Sequence, residues 1–535
     1  MKKYTYIVFL FFCILSNGFA QTGPGGVGKN DGSSALKLWF KADTNVLTAT
    51  NTTVADNGKI TTWKDASGNN VAAASPSDEK RPTWVEQASV LNNMPAIRFF
   101  SNVDTNNQFN GLYTNTGSYS QLTDATIFIV HYPITPGGGD DVTPVNGTTS
   151  TWVYGAGMLD ADMPAFQNDF GLGYSSNSCA YGEGIPATST DITIKIPSPI
   201  NTPYITALTR DQANGMITLY SSATLSPVTY SKTIGPLSDP THYAIGSTTS
   251  MTTYPENYYD GYIASIIVFN KKLNLAEFAI VQNYLSAKYG IPLSSNDLYT
   301  MDQNMFGDFD FNVAGIGMAA DGTGYTTSKG EGSITITNPN NLQPNEFLFW
   351  GQNSGNITNF TKTNIPALVK DRWEPIWRVS KTGDVGKVDL IFDLPNANPS
   401  ETRFLRIVQD LNNNGSFSDE PESSFIAEAF YLGGTSYVFK NVSLQDGIRF
   451  TLARTNTFED DSKLSLTPNG DGINDVYTIT SKKLVKIFDS SGNLVSQMQG
   501  PCIWDGSNQE GMIVNTGYYI IQIGDESYTG ITVIH

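Results

Sequence analysis

Short runs rich in Tyr, Thr, Ile, Val and Phe recur along the chain, each cut by Asn, Gly, Ser or Asp. β-branched and aromatic residues suit a pleated, half-buried surface, and the interrupting residues supply turns, so this rhythm predicts an all-β protein of stacked sheets. "DATIFIVHYP" and "GYIASIIVFN" are apolar at both parities, which predicts central strands buried on two faces. "KVDLIFDL" instead alternates, with Val388, Leu390, Phe392 and Leu394 on one face and Asp389 and Asp393 on the other. It reads as a strand with one wet face. One helix interrupts the pattern, "NLAEFAIVQNYLSAKYGIP". Asn274 and Glu277 form a capping-box pair, Phe278, Val281 and Leu285 share a face, and Gly290 and Pro292 stop it. A lone helix after many strands is expected on a sandwich edge, closing a domain near residue 295.

The 535 residues exceed one ordinary domain. Lys2 and Lys3, the apolar run from Tyr6 to Leu15, and Gly18-Phe19-Ala20 read as a secretory signal peptide cut between Ala20 and Gln21. Lipoprotein processing at Cys13 is the rival, with Phe12 a poor neighbour for it. No later run reaches the length of a membrane span, so no transmembrane segment is expected. Cleavage removes two of the 32 basic residues, leaving 30 against 50 acidic ones, a net charge of −20. Such a surface repels nucleic acid and anionic lipid and attracts divalent cations. Of 3 cysteines only Cys179 and Cys502 survive, which excludes a disulfide scaffold and favours free thiols. His131, His242 and His535 are the 3 histidines, almost no raw material for a zinc centre or a serine–histidine triad.

"LKLWFKAD", "TTWKDASGNN", "NNMPAIRFF" and the "GYIASIIVFN…NYLSAKYGI" close, in that order, resemble the laminin-G-like, concanavalin A-like jelly rolls of bacterial surface proteins. The resemblance implies a jelly roll over 21–295, with Trp39, Trp63 and Phe99 as anchors of a two-sheet core. Lectins, adhesion modules and glycan hydrolases share that fold. Hydrolases of this fold need paired carboxylates, about 5 Å apart in a retaining enzyme. Asp160 and Asp162 in "MLDADMP" come nearest, without an accompanying Glu, so no catalysis is expected. "TTYPENYYDGY" offers Tyr254, Tyr258, Tyr259 and Asp260 for stacking on and hydrogen bonding to a glycan or protein ligand. A tyrosine-rich edge loop without a ligand explains the same residues.

"NVAGIGMAADG", "NEFLFWGQNSG" and "RWEPIWRVSKTGDVGKVDLIFDL" resemble an uncharacterised β domain that often follows such jelly rolls, which implies a second β-sandwich over 296–458 and no activity. Within it, "DLNNNGSFSDEPE" places Asp410, Asn412, Asn414 and Gly415 at positions one, three, five and six of a calcium loop. Position twelve is Pro421 where a bidentate Glu is expected, so Asp419, Glu420 or Glu422 has to substitute. The candidate metal set is Asp410, Asn412, Asn414 and Asp419, with calcium as the cofactor; a hairpin turn that binds nothing is the alternative.

After a polar linker, "LTPNGDGINDVYTI", "VKIFDSSGNLV", "WDGSNQEG", "VNTGYYIIQI" and "ITVIH" follow in order. Together they resemble the type B C-terminal sorting domain of the type IX secretion system, also called the gliding motility-associated C-terminal domain. The resemblance implies a small Ig-like β-sandwich over 459–535 that is read by the type IX translocon, taking the protein through the periplasm to the cell surface or the medium. Asn469, Asp471, Asn474 and Asp475 form its opening turn, tied by side-chain to backbone bonds or through a cation. "SSG" stands where the family usually has Arg-Trp-Gly, and His535 where it usually has a terminal Lys or Arg. The expected function is an exported, non-catalytic, adhesin-like binding protein; a glycan hydrolase and a structural surface-layer component are the alternatives.

Overall fold

The computed structural model describes residues 21–102, 108–137, 151–163, 168–184, 191–249, 257–355, 359–395, 404–426, 429–455, 465–470, 474–479, 481–524 and 527–535. The signal-peptide residues through Ala20, together with Tyr254 and Asp471, lie outside them.

The first domain is a jelly roll of two antiparallel sheets. Ala125–Pro133 and Gly261–Phe269 lie side by side inside an eight-stranded sheet, with Ile127 opposite Val268 and Phe128 opposite Ile267. One face of this sheet, through Ile127, Ile129, Ile266 and Val268, packs onto a nine-stranded sheet across a core that holds Trp63 and Phe99. The other face, through Phe128, Val130, Ile267 and Phe269, packs onto the helix. Burial on both faces is what the continuous apolar runs require. His131 points into the core, hydrogen-bonded to Tyr259 Oη (3.2 Å) and Thr206 Oγ1 (2.9 Å), and burial pushes it down to about 3. It is a neutral core residue.

The helix spans Leu275–Tyr289 with both halves of the Asn274/Glu277 capping box formed and Gly290 left-handed at its end. It lies on the sheet face, not at an edge, and every residue from Ala276 to Tyr289 is buried. Its second side is covered by the next domain. Tyr299, Phe309, Val313, Phe347 and Phe349 join Trp39, Phe128 and the helix in one hydrophobic cluster. Gln21 enters the same seam, where its carbonyl accepts from the Lys329 and Gly330 amides.

The middle domain is a sandwich of a nine-stranded and a five-stranded sheet. Val388, Leu390, Phe392 and Leu394 face its core, as their alternation requires. Trp373 and Trp377 meet edge to face there, their ring centroids 5.7 Å apart. The last domain pairs a five-stranded sheet with the two strands Tyr477–Ile479 and Cys502–Trp504. Val485, Ile487, Trp504, Tyr519 and Ile521 fill its own small core, and Asp489 to Asn493 closes the hairpin between Leu484–Asp489 and Leu494–Gln499. Cys179 and Cys502 are both free thiols.

Candidate functional site

Side chains alternate across a strand, so the inward course of Phe170, Leu172 and Tyr174 turns Gly171 and Gly173 to the outer face of the nine-stranded sheet. Register carries that face across neighbouring strands, with Gly171 opposite both Asp160 and Gly182, and Gly173 opposite Gly157. The glycines clear room for what lies over them. A Cβ on Gly182 would stand 1.9 Å from Trp152 Cγ, and one on Gly171 would stand 2.6 Å from Asp160 Oδ2. Trp152, on the short turn Thr151–Tyr154, therefore rests on bare backbone beside Asp160.

Four carboxyls collect around that indole. Asp160 is buried and accepts the amides of Thr249 (2.9 Å) and Asp162 (3.2 Å); burial, then the Asp162 charge, pushes it up to about 8. Asp162 and Asp169 are in hydrogen-bonding contact, and burial holds both above the usual carboxylate range, Asp169 at about 7. Asp191, beside the Trp152 indole, is also raised by burial. No basic group contributes to any of these shifts. Buried carboxyls hold protons or offer acceptors to a ligand's hydroxyls and cations.

The sequence pointed to Asp160, Asp162 and Tyr258 for separate reasons, and the fold brings them to one face. Tyr113 pairs with Ala244, which pairs with Asp160, and Ser247 donates to Tyr113 Oη at 2.7 Å. Tyr258 bridges Gly157 and Ser247, but it is 3% exposed, stacked on Phe109 with centroids 5.0 Å apart and covered by Lys80, so its ring is taken up within the fold. Tyr259 does not belong to this face. It is fully buried in the core against His131, so it offers no stacking surface to a ligand. Asp260 is taken by Arg98, 2.6 Å away. Sequence reading missed Trp152, on its short turn, and Asp169 and Asp191, which stand just ahead of the strands Phe170–Ser175 and Ile192–Pro197.

In the middle domain, Asp410 ends the strand Leu405–Asp410 and accepts the amides of Asn414 (3.1 Å) and Gly415 (2.8 Å). Asn412 and Asn414 both donate to Asp419 Oδ2, at 3.1 and 2.8 Å. Arg449 binds the loop from outside, through Asn413 (2.7 Å) and the edge of Asp410 (3.4 Å). Glu420 is 6% exposed and lies against the Leu411 and Asn412 backbone amides, with burial raising its carboxyl above the ordinary range. Among the described residues no three His, Cys, Asp or Glu side chains converge as a metal set. In the last domain, Asp475 accepts the amides of Asn469 (3.0 Å) and Gly470 (2.7 Å), while Asn474 is left-handed and its carbonyl accepts from Thr467. The opening turn is thus tied by side-chain to backbone bonds.

Residues 462–534 match the CHU_C Type IX secretion signal domain, and residues 277–448 match a domain of unknown function, DUF8202, whose span begins inside the helix. No curated protein sequence matches the chain. Among solved structures, the chain is similar to the CBM40 of Ruminococcus gnavus IT-sialidase bound to alpha2,3 sialyllactose, at 15% identity and TM-score 0.23, over 30% of this chain and 82% of that one. It is also similar to the binding domain of Botulinum Neurotoxin DC in complex with SialylT, at 12% identity and TM-score 0.30, over 93% of both. The SAP-like pentraxin of Limulus polyphemus stands at 14% identity and TM-score 0.25, over 35% of this chain and 80% of that one. At these TM-scores nothing about a ligand follows for this chain. The secretion signal domain marks the protein for type IX handling and export to the cell surface or extracellular space. Among the described residues no helix is long and apolar enough to cross a membrane.

Proposed function

We propose that the exported chain is a non-catalytic, adhesin-like binding protein and that the outer face of its nine-stranded sheet takes a glycan. The observation that carries this reading is the convergence of the Asp160, Asp162, Asp169 and Asp191 carboxyls with Trp152 on the outer face of the nine-stranded sheet, where Trp152 rests on Gly171 and Gly182. Aromatic groups beside carboxyl acceptors suit the apolar and hydroxyl faces of a sugar. The acidic surroundings favour a neutral glycan over a sulfated or uronic one. Titration calorimetry with laminarin, agarose and xylan, led by a glycan array, tests this. Asp160→Asn and Asp191→Asn are each expected to weaken the best ligand at least tenfold while the fold is retained. A chain that binds no glycan is instead a structural surface component.

A hydrolase is the second reading, favoured by Asp160 staying protonated at neutral pH, as a general acid must. Against it, Asp162 and Asp169 touch, whereas a retaining pair stands about 5 Å apart and an inverting pair further still. No reducing-sugar release is expected. Release that Asp160→Asn or Asp162→Asn abolishes would overturn the non-catalytic reading.

A further inference from the structure

Where the jelly roll and the middle domain meet, they leave a partly open cavity of about 480 Å³ beside the first turns of the helix. That volume falls within the ~300–1,000 Å³ of ligand pockets, which favour such domain seams. Leu275, Phe278, Ala279 and Gln282 follow the helical repeat and form one wall. Tyr220 and Leu225 of the jelly roll and Phe347 of the middle domain stand around it. Among the described residues no charged side chain lines the cavity. A charged ligand would give up its hydration there for no partner.

Gln282 gives the cavity a polar demand. It is 6% exposed, and among the described residues its side-chain amide forms no hydrogen bond. Ser221 and Thr224, which also line the cavity, are used by their own turn: Ser221 Oγ accepts the Ala223 amide and Thr224 Oγ1 donates to the Ser221 carbonyl, both at 3.4 Å. A buried carboxamide without partners costs free energy until a ligand brings a donor and an acceptor. A peptide bond presents both. At the rim Leu225 is 76% exposed and Leu275 49%. The rings behind them pack on their neighbours, Tyr220 on Phe278 with centroids 4.7 Å apart and Phe347 on Phe349 at 6.0 Å. The cavity thus offers aliphatic surface and ring edges in place of the open aromatic platform on which a sugar stacks.

We infer that this cavity binds an uncharged, extended peptide segment of a partner protein. One bulky apolar side chain enters past Leu225 and Leu275, and the main-chain amide beside it pairs with Gln282. The site is separate from the sheet face and needs no glycan.

The test sets the chain from Gln21 to His535 against capped, uncharged pentapeptides that differ only in the central residue, read by fluorescence polarisation and calorimetry. A central leucine or phenylalanine is expected to bind about tenfold more tightly than glycine, the scale of one well-placed anchor, and aspartate to abolish binding. Leu225→Asp, at an exposed position, should weaken the leucine peptide by a similar factor with the urea midpoint unchanged. Gln282→Leu should weaken it too, yet be as stable as the wild type or more so, because an unpartnered buried amide has gone. A purely structural Gln282 predicts a lower midpoint and overturns the inference. Asp160→Asn should leave peptide affinity unchanged, which separates this site from the sheet face. Equal affinity for the leucine and glycine peptides, or undiminished binding by Leu225→Asp or Gln282→Leu, would also overturn it. Displacement of the leucine peptide by laminarin would make the cavity a sugar site, and N-acetyl-leucinamide binding as tightly as the pentapeptide would make it a small-molecule site; either result ends the peptide assignment.

Discussion

A single carboxyl on the jelly-roll face makes a measurable claim about protons. Asp160 has an ordinary value of 3.8 and is pushed up to about 8 in the fold. Between those values the folded chain holds a proton that the unfolded chain has released. Its contribution is therefore fully present below the lower value and is lost as pH rises toward 8, by up to about 1.4 kcal/mol per pH unit. Asp160→Asn keeps an acceptor for the Thr249 and Asp162 amides and removes the titration. Its stability relative to wild type is expected to climb between about pH 4 and 8, read by urea unfolding across that range. A flat difference means that Asp160 is ionised in the fold. His131 acts with the opposite sign. Its folded value of about 3 lies below the ordinary 6.5, so its contribution is lost as pH falls through that window. The tyrosines show what could be read at this scale. Tyr258 and Tyr259 were legible as a pair, yet adjacent residues of an extended chain point to opposite faces, so both could not serve one ligand. Asp169 and Asp191 were not legible beside Asp160, because only strand pairing brings such distant residues together.

The helix teaches the same lesson one level up. Its start and stop were legible in Asn274, Glu277 and Gly290, and Asn274→Ala is expected to cost about 1 kcal/mol of stability by calorimetry or denaturant unfolding. Its surroundings were misread. Phe278, Val281 and Leu285 suggest one buried stripe, but Ala276, Ala279, Ile280 and Ala287 make the helix apolar all round, the pattern of an element buried on every side. The second covering layer comes from the middle domain, beyond the point where a boundary is natural in sequence. Lys288 locks that arrangement. It reaches Asp43 of the jelly roll at 2.6 Å and Glu331 of the middle domain at 3.7 Å, while Lys41 also pairs with Glu331 and Tyr284 donates to it. Burial alone would lower the Lys288 ammonium, but Tyr284 and the two carboxylates hold it well above its ordinary value. Lys288→Met leaves Asp43 and Glu331 sharing Lys41 in a seam with little water, and a loss of about 3–5 kcal/mol is expected. Adding Glu331→Gln should recover part of it. If the single variant unfolds at the wild-type urea midpoint, the cluster does not hold the two sandwiches together.

At the scale of the whole molecule, the two large sandwiches share a hydrophobic cluster, whereas the last domain keeps its core to itself. Leu466, Val485, Ile487, Trp504, Tyr519, Ile521 and Val533 belong to a cluster that contains no residue from before 465. Its fold was the most legible of the three. The segment packs a turn, a hairpin and an alternating strand into one local sandwich, so little depends on distant pairing. Among the described residues, none of those filling the cores of the first two domains lies within 461–535. The truncated chain should therefore keep the unfolding transition of the remaining domains, and any export defect reports on recognition and not on misfolding. Because residues 462–534 carry the secretion signal, the truncated protein is expected to accumulate in the periplasm of a host with an active type IX system. Grafted behind a fluorescent reporter with a signal peptide, the same segment should carry the reporter to the surface or medium. Asp475→Ala in the graft leaves the Asn469 and Gly470 amides without their acceptor and should reduce export, since the opening turn presents the start of the domain. Fractionation with immunoblotting of periplasm, surface and medium reads all three. A truncated chain that still leaves the cell at the full-length level would mean that export depends on some other part of the protein.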